Sequence, residues 1–199
     1  MCDIVCVTNR SLCKEDFLHR VDKIASAHLA GIILREKDLS EAEYKQLAKQ
    51  VVHVCTKYGL PCMLHSFVNV AIELNAEGIH LPMPALREMN ATQKSCFKAI
   101  GASCHSIEDA LEAQQLGCTY ITAGHIFATD CKKGLPGRGI QFLESVCRSV
   151  TIPVYAIGGI DKDTINSVFE AGAKGACVMS GLMKCDNIMS YLKSFEENQ

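Results

Sequence analysis

The sequence predicts an α/β fold, a single (β/α)8 TIM barrel spanning residues 1–199. Three observations predict it. Short apolar runs alternate with helix-like stretches from one end of the chain to the other. Eight such units leave roughly 25 residues per unit, near the lower limit for this barrel. The runs are continuously apolar, as expected of parallel strands covered by helices on one face and by a packed interior on the other. An open doubly wound sheet is the alternative, but it carries a Gly-rich loop after its first strand. Here that loop is Thr8-Asn9-Arg10-Ser11.

The first strand is expected at Ile4–Thr8, followed by a weak helical pattern over Leu12–His28. Gly31–Leu34 is the second strand. Ser40–Tyr58 is the clearest helix: Ser40-Glu41-Ala42-Glu43 has the form of a capping box, and Tyr44, Leu47, Val51 and Val54 share one face. Strands three to five are placed at Cys62–His65, Gly78–Leu81 and Lys98–Ser103. Ser106–Leu116 reads as a helix with a Ser cap and a Gly117 stop. Tyr120–Gly124 is the sixth strand, then a weaker helix over Phe142–Val150, then a strand at Val154–Gly158. Asp161–Ala171 is a helix capped by Asp161 and stopped by Gly172, and Gly175–Ser180 closes the series.

The composition, 48% hydrophobic and 21% charged, is that of an ordinary globular domain. A net charge of −2 argues against the broad basic face that nucleic acid needs. The twelve cysteines include no C-x-x-C and no Cys/His cluster with zinc spacing, so they read as free thiols packed as small hydrophobes in a reducing compartment. Met1-Cys2-Asp3-Ile4 does not open a secretory signal, and no apolar run approaches eighteen residues. A cytoplasmic protein with no membrane partner, no cofactor and no bound metal is the expectation.

In this architecture chemistry sits where strands end. Gly158-Gly159 follows the seventh strand and Met179-Ser180-Gly181 the eighth, the loops that recurrently hold phosphate. Backbone N–H groups of Gly159, Met179 and Ser180 and the Ser180 hydroxyl are the expected donors; a plain tight turn at Gly158-Gly159 is the other reading. After the second strand, Arg35-Glu36-Lys37-Asp38 alternates so that Arg35 and Lys37 share one direction. Either they form a cationic pocket facing the phosphate grip or the run is a solvated face. His125 ends the sixth strand, and histidine is the side-chain type suited to carrying a proton near neutrality. The following Ala128–Gly139, with Lys132, Lys133 and three glycines, looks like a covering loop. Cys104 and Cys131 have no base partner set by spacing and are left as packing or loop residues.

Taken in order, Leu34-Arg35-Glu36-Lys37-Asp38, Gly78-Ile79-His80-Leu81, Gly101-Ala102-Ser103, Gly124-His125-Ile126-Phe127-Ala128-Thr129, Ala156-Ile157-Gly158-Gly159-Ile160 and Val178-Met179-Ser180 resemble the thiamine phosphate synthase superfamily, from about Ile4 to Leu182. That superfamily holds the synthase, which joins a pyrimidine pyrophosphate to a thiazole phosphate using magnesium, and a thiazole tautomerase. Where synthases carry magnesium ligands this chain has His65-Ser66 and Pro82-Met83-Pro84-Ala85, and His125 stands where the tautomerase has its acid/base. The resemblance therefore implies a metal-free tautomerase, an isomerase acting on a thiazole carboxylate phosphate. In that reading His125 is catalytic, and Gly158, Gly159, Met179 and Ser180 hold the phosphate. Arg35, Lys37, Ser103 and Lys132 lie on the carboxylate side. A thiamine phosphate synthase and a non-catalytic thiazole-phosphate-binding regulator are the alternatives, and the resemblance leaves homodimer formation open.

Overall fold

Strand β1 (Asp3–Val7) pairs in parallel with both β2 (Gly31–Leu34) and β8 (Gly175–Val178), and this closes an eight-stranded barrel. Between them the order is β3 (Cys62–His65), β4 (Gly78–Pro82), β5 (Ala99–Cys104), β6 (Tyr120–Gly124) and β7 (Val154–Ile157), each parallel to its neighbours. The computed structural model describes residues 3–129 and 134–196. No described helix is long and apolar enough to cross a membrane.

Alternate strand residues go to different cores. Ile4, Cys6, Ile32, Leu34, Leu64, Ile79, Leu81, Ile121 and Ala123 pack outward against helices. Val5, Val7, Ile33, Met63, Tyr120 and Cys177 form a second cluster, with Tyr155 and Ile157 against it, inside the barrel. Glycines make room there: a Cβ on Gly31 or Gly78 would press on Met63, and one on Gly101 would meet the Tyr120 ring at 2.1 Å. Large and small side chains thus fill the interior by turns.

The outer layer includes α1 (Phe17–Ala25), α2 (Glu41–Tyr58), α6 (Ile107–Gln115), α7 (Ile140–Ser149) and α8 (Ile165–Glu170), together with short helices α3 (Val68–Glu73), α4 (Met83–Glu88), α5 (Ala91–Ser95), α9 (Ser180–Lys184) and α10 (Ile188–Lys193). The Ser40 capping box is present, and α2 ends on left-handed Gly59. Its fully buried face is Tyr44, Ala48, Val51 and Cys55, whereas Leu47 and Val54 are only half-buried. Two expected boundaries move. Leu12–His28 resolves into a 3-10 turn (Arg10–Leu12) and α1, because Asp16 caps a new helix by accepting from His19 N. Asp161 caps a turn instead of a helix, accepting from Asp163 N and Thr164 N, and α8 starts only at Ile165.

Candidate functional site

The mouth of the barrel at the carboxyl ends of the strands holds a cavity of about 360 Å³. Its floor is Val7, Ile33 and Cys177. Its walls are polar, with Arg35, Lys37, His65, His80, Ser103, His105, Thr122 and His125 among the lining residues. The inward register that puts Ile33 in the interior also puts Arg35 in the cavity wall, two residues on.

The charged run after β2 divides as alternation requires. Arg35 and Lys37 line the cavity. Glu36 turns away and is 3% exposed, accepting from the Thr8 hydroxyl at 2.7 Å and from Arg10 N at 3.1 and 3.0 Å. Arg10 reaches Asp38 at 2.6 Å. These contacts bind the β1 and β2 ends together, so the backbone carrying Arg35 is fixed from its far side.

At the ends of β7 and β8, Gly158, Gly159, Met179 and Ser180 all line the same cavity. Both glycines are left-handed, with φ of 101° and 67°. A Cβ on Gly158 would lie 2.4 Å from that of His125, and one on Gly159 would lie 2.4 Å from the Ala128 carbonyl oxygen. The glycine pair is therefore demanded by packing beneath the β6 loop, quite apart from any ligand.

His125 is 8% exposed. Its Nε2 faces the Leu135 carbonyl oxygen at 3.3 Å, and its buried Nδ1 has no hydrogen-bond partner among the described residues. A carbonyl only accepts, so Nε2 carries a proton toward it. Arg138 N and Gly139 N donate to the His125 and Ile126 carbonyls at 2.9 Å, so the far end of the expected covering loop is tied to the histidine's own strand end. Lys132 and Cys131 lie outside the described residues.

Ser103, expected on the carboxylate side, joins residues not assigned a role in the sequence, and together they form a polar group on the β3–β6 side. His80 Nδ1 is 3.0 Å from the Tyr120 hydroxyl and its Nε2 is 2.9 Å from the Ser103 hydroxyl. His65 stacks on His80 with ring centroids 6.0 Å apart, and its Nδ1 is 2.7 Å from the Ser66 hydroxyl. Burial, then the charges of Arg35 and Lys37, pushes His65 down to about 3. Burial, then His65 and Arg35, pushes His80 down to about 3 as well. Both rings are neutral hydrogen-bonding groups at physiological pH. Counting inward positions by twos from each strand start was the signal that would have found them.

Magnesium takes oxygen ligands and needs one or two carboxylates. Among the described lining residues none is Asp or Glu, Glu36 is committed elsewhere, and the described residues contain no group of three or more His, Cys, Asp or Glu able to hold a metal. The donor set fits anions and does not fit magnesium.

The family described as thiamine monophosphate synthase matches residues 4–182. A thiamine-phosphate synthase of Clostridium acetobutylicum is 32% identical over 186 residues, covering 92% of this chain and 87% of the relative. Thiamine-phosphate synthase 2 of Streptococcus pneumoniae is also 32% identical, over 91% of this chain and 87% of that one. A thiamine phosphate pyrophosphorylase from Pyrococcus furiosus superposes with a TM-score of 0.82 at 27% identity, covering 98% of this chain and 94% of the other. These names overturn the tautomerase expectation: relatives matched along nearly the whole chain are transferases of thiamine biosynthesis, and nothing among them is an isomerase of the thiazole. Ser66 and Ala85, where the resemblance implies magnesium ligands in synthases, do not by themselves name a different reaction.

Proposed function

The chain belongs to the thiamine monophosphate synthase family, and from that premise we propose that it joins a thiazole phosphate to a pyrimidine pyrophosphate, giving thiamine phosphate and releasing pyrophosphate. The observation that carries the proposal is that one cavity is lined both by the Gly158-Gly159 and Met179-Ser180 turns after β7 and β8 and by Arg35 and Lys37 after β2. Two anionic substrates must lie side by side for a bond to form between them, and two groups of anion-holding residues in one cavity suit that.

In this reading backbone N–H groups of Gly159, Met179 and Ser180, with Gly158 turning the chain, hold the thiazole phosphate. Arg35 and Lys37 meet the charge of the pyrophosphate and of the pyrophosphate that leaves. Ser103 donates to the heterocycle. No step is derived through magnesium, because the described donor set does not suit it.

The lack of a carboxylate among the described lining residues favours one second reading, a protein that binds the thiazole phosphate without joining it. Incubation with both substrates, with and without magnesium, separates the two. Thiamine phosphate appearing in proportion to protein supports the synthase. Tight binding of thiazole phosphate with no product under either condition overturns it in favour of the binder.

A further inference from the structure

Tyr120, His80 and Ser103 make a hydrogen-bonded line from the barrel interior to the cavity wall. Tyr120 is 9% exposed, and its ring lies over Gly101, where no side chain could fit beneath it. The phenol has one proton to give, and among the described residues the only polar partner of its oxygen is His80 Nδ1. Were Nδ1 protonated and Tyr120 the acceptor, the phenol would be left as a buried donor without an acceptor. With Tyr120 donating, Nδ1 is the acceptor, and the single proton of the neutral imidazole sits on Nε2. Nε2 then donates to the Ser103 oxygen, so the serine cannot direct its own proton at the histidine. Its O–H is left to turn into the cavity that Ser103 lines.

We propose that Tyr120 and His80 are positioning residues that hold Ser103 as a one-way hydrogen-bond donor toward a lone pair on the bound ligand. Polarity is set in the closed interior and delivered at the mouth. A ligand presenting an acceptor at Ser103 is taken, whereas one presenting only a donor there meets the serine proton head-on. The identity of that ligand rests on the synthase reading; the direction of the line does not.

The direction is read by NMR of the full chain labelled with 15N-histidine. His80 is expected as the Nε2–H tautomer, unchanged between pH 6 and 8, and Tyr120→Phe is expected to release it toward Nδ1–H. Thiamine phosphate, the product of the proposed reaction, is the binding probe by calorimetry. Ser103→Ala is expected to weaken it about tenfold, the size of one hydrogen bond. Ser103→Thr restores binding, and Tyr120→Phe added to Ser103→Ala costs nothing more. An Nδ1–H tautomer of His80 in the wild-type protein overturns the proposal, as do fully additive losses in the double variant. Should Tyr120→Phe fail to fold, the wild-type tautomer alone decides. Should thiamine phosphate bind to no variant and not to the wild type, the synthase reading fails, while the tautomer still decides the direction.

Discussion

The Thr8 hydroxyl donates to Glu36 Oε1 at 2.7 Å while accepting from Arg35 N at 2.9 Å, so one hydroxyl spans the ends of β1 and β2. Arg35 is held in the cavity wall by a residue on the other face of its own strand. Glu36→Ala is expected to leave the Thr8 hydroxyl and Arg10 N without their acceptor and to cost about 2 kcal/mol in urea denaturation. Affinity for inorganic pyrophosphate should fall with it. Unchanged affinity in a folded Glu36→Ala variant would show that Arg35 needs no such support.

The anion-facing wall has its own consequence. Pyrophosphate is expected to bind in the presence of excess chelator, because side-chain cations meet its charge. Arg35→Ala and Lys37→Ala should each weaken it about tenfold, with a smaller loss at high salt than at low. Calorimetry across a salt series checks this; binding that vanishes with chelator would contradict it.

Acid should weaken the fold through the stacked histidine pair. His65 and His80 are both held near 3 by burial, against about 6.5 in the unfolded chain. Between those values the unfolded chain binds the extra proton, so stability is whole above pH 6.5 and falls as the pH drops toward 3. The slope is about 1.4 kcal/mol per pH unit for each ring. Denaturation at pH 7 and pH 5 should show it, and His65→Asn should roughly halve the difference.

Gly158→Ala tests the packing beneath the β6 loop. The new Cβ meets His125 at 2.4 Å on a backbone with φ of 101°. A loss of about 2 kcal/mol is expected in thermal unfolding. His125 should be displaced even with no ligand present, seen as a changed histidine NMR signature.

Among the described cysteines, Cys96 is exposed, while Cys6, Cys55, Cys104, Cys118 and Cys177 are buried. Burial pushes Cys177 up to about 12, and foremost among the causes at Cys104 and Cys118 it does the same there. A thiol-reactive disulfide should label the native protein quickly at Cys96, and Cys96→Ser should remove that phase. Fast labelling of Cys177 would contradict the packing.

What could be read in the sequence follows from what period and alternation encode. The strands over Gly31–Leu34, Cys62–His65 and Tyr120–Gly124 stand where apolar runs place them, since burial on both faces leaves an unbroken signature. The splitting of Arg35 from Glu36 was likewise legible, being a matter of alternation alone. Helices α3, α4, α5, α9 and α10 were not, because five or six residues are too few to display a 3.6-residue period. His80 was passed over for a different reason. Its partners Tyr120 and Ser103 are 40 and 23 residues away and meet it only once the barrel closes.

Alternation along the strands has one more outcome. Ile32 and Leu34 answer to the helices, Ile33 and Arg35 to the interior. The requirements of folding and those of recognition are thus written into one stretch of chain as two interleaved messages. Replacing Arg35 or Ser103 edits one message and leaves the other unread. A library that varies only these inward mouth positions, two apart along neighbouring strands, explores new ligands on a scaffold whose outer layer never registers the change.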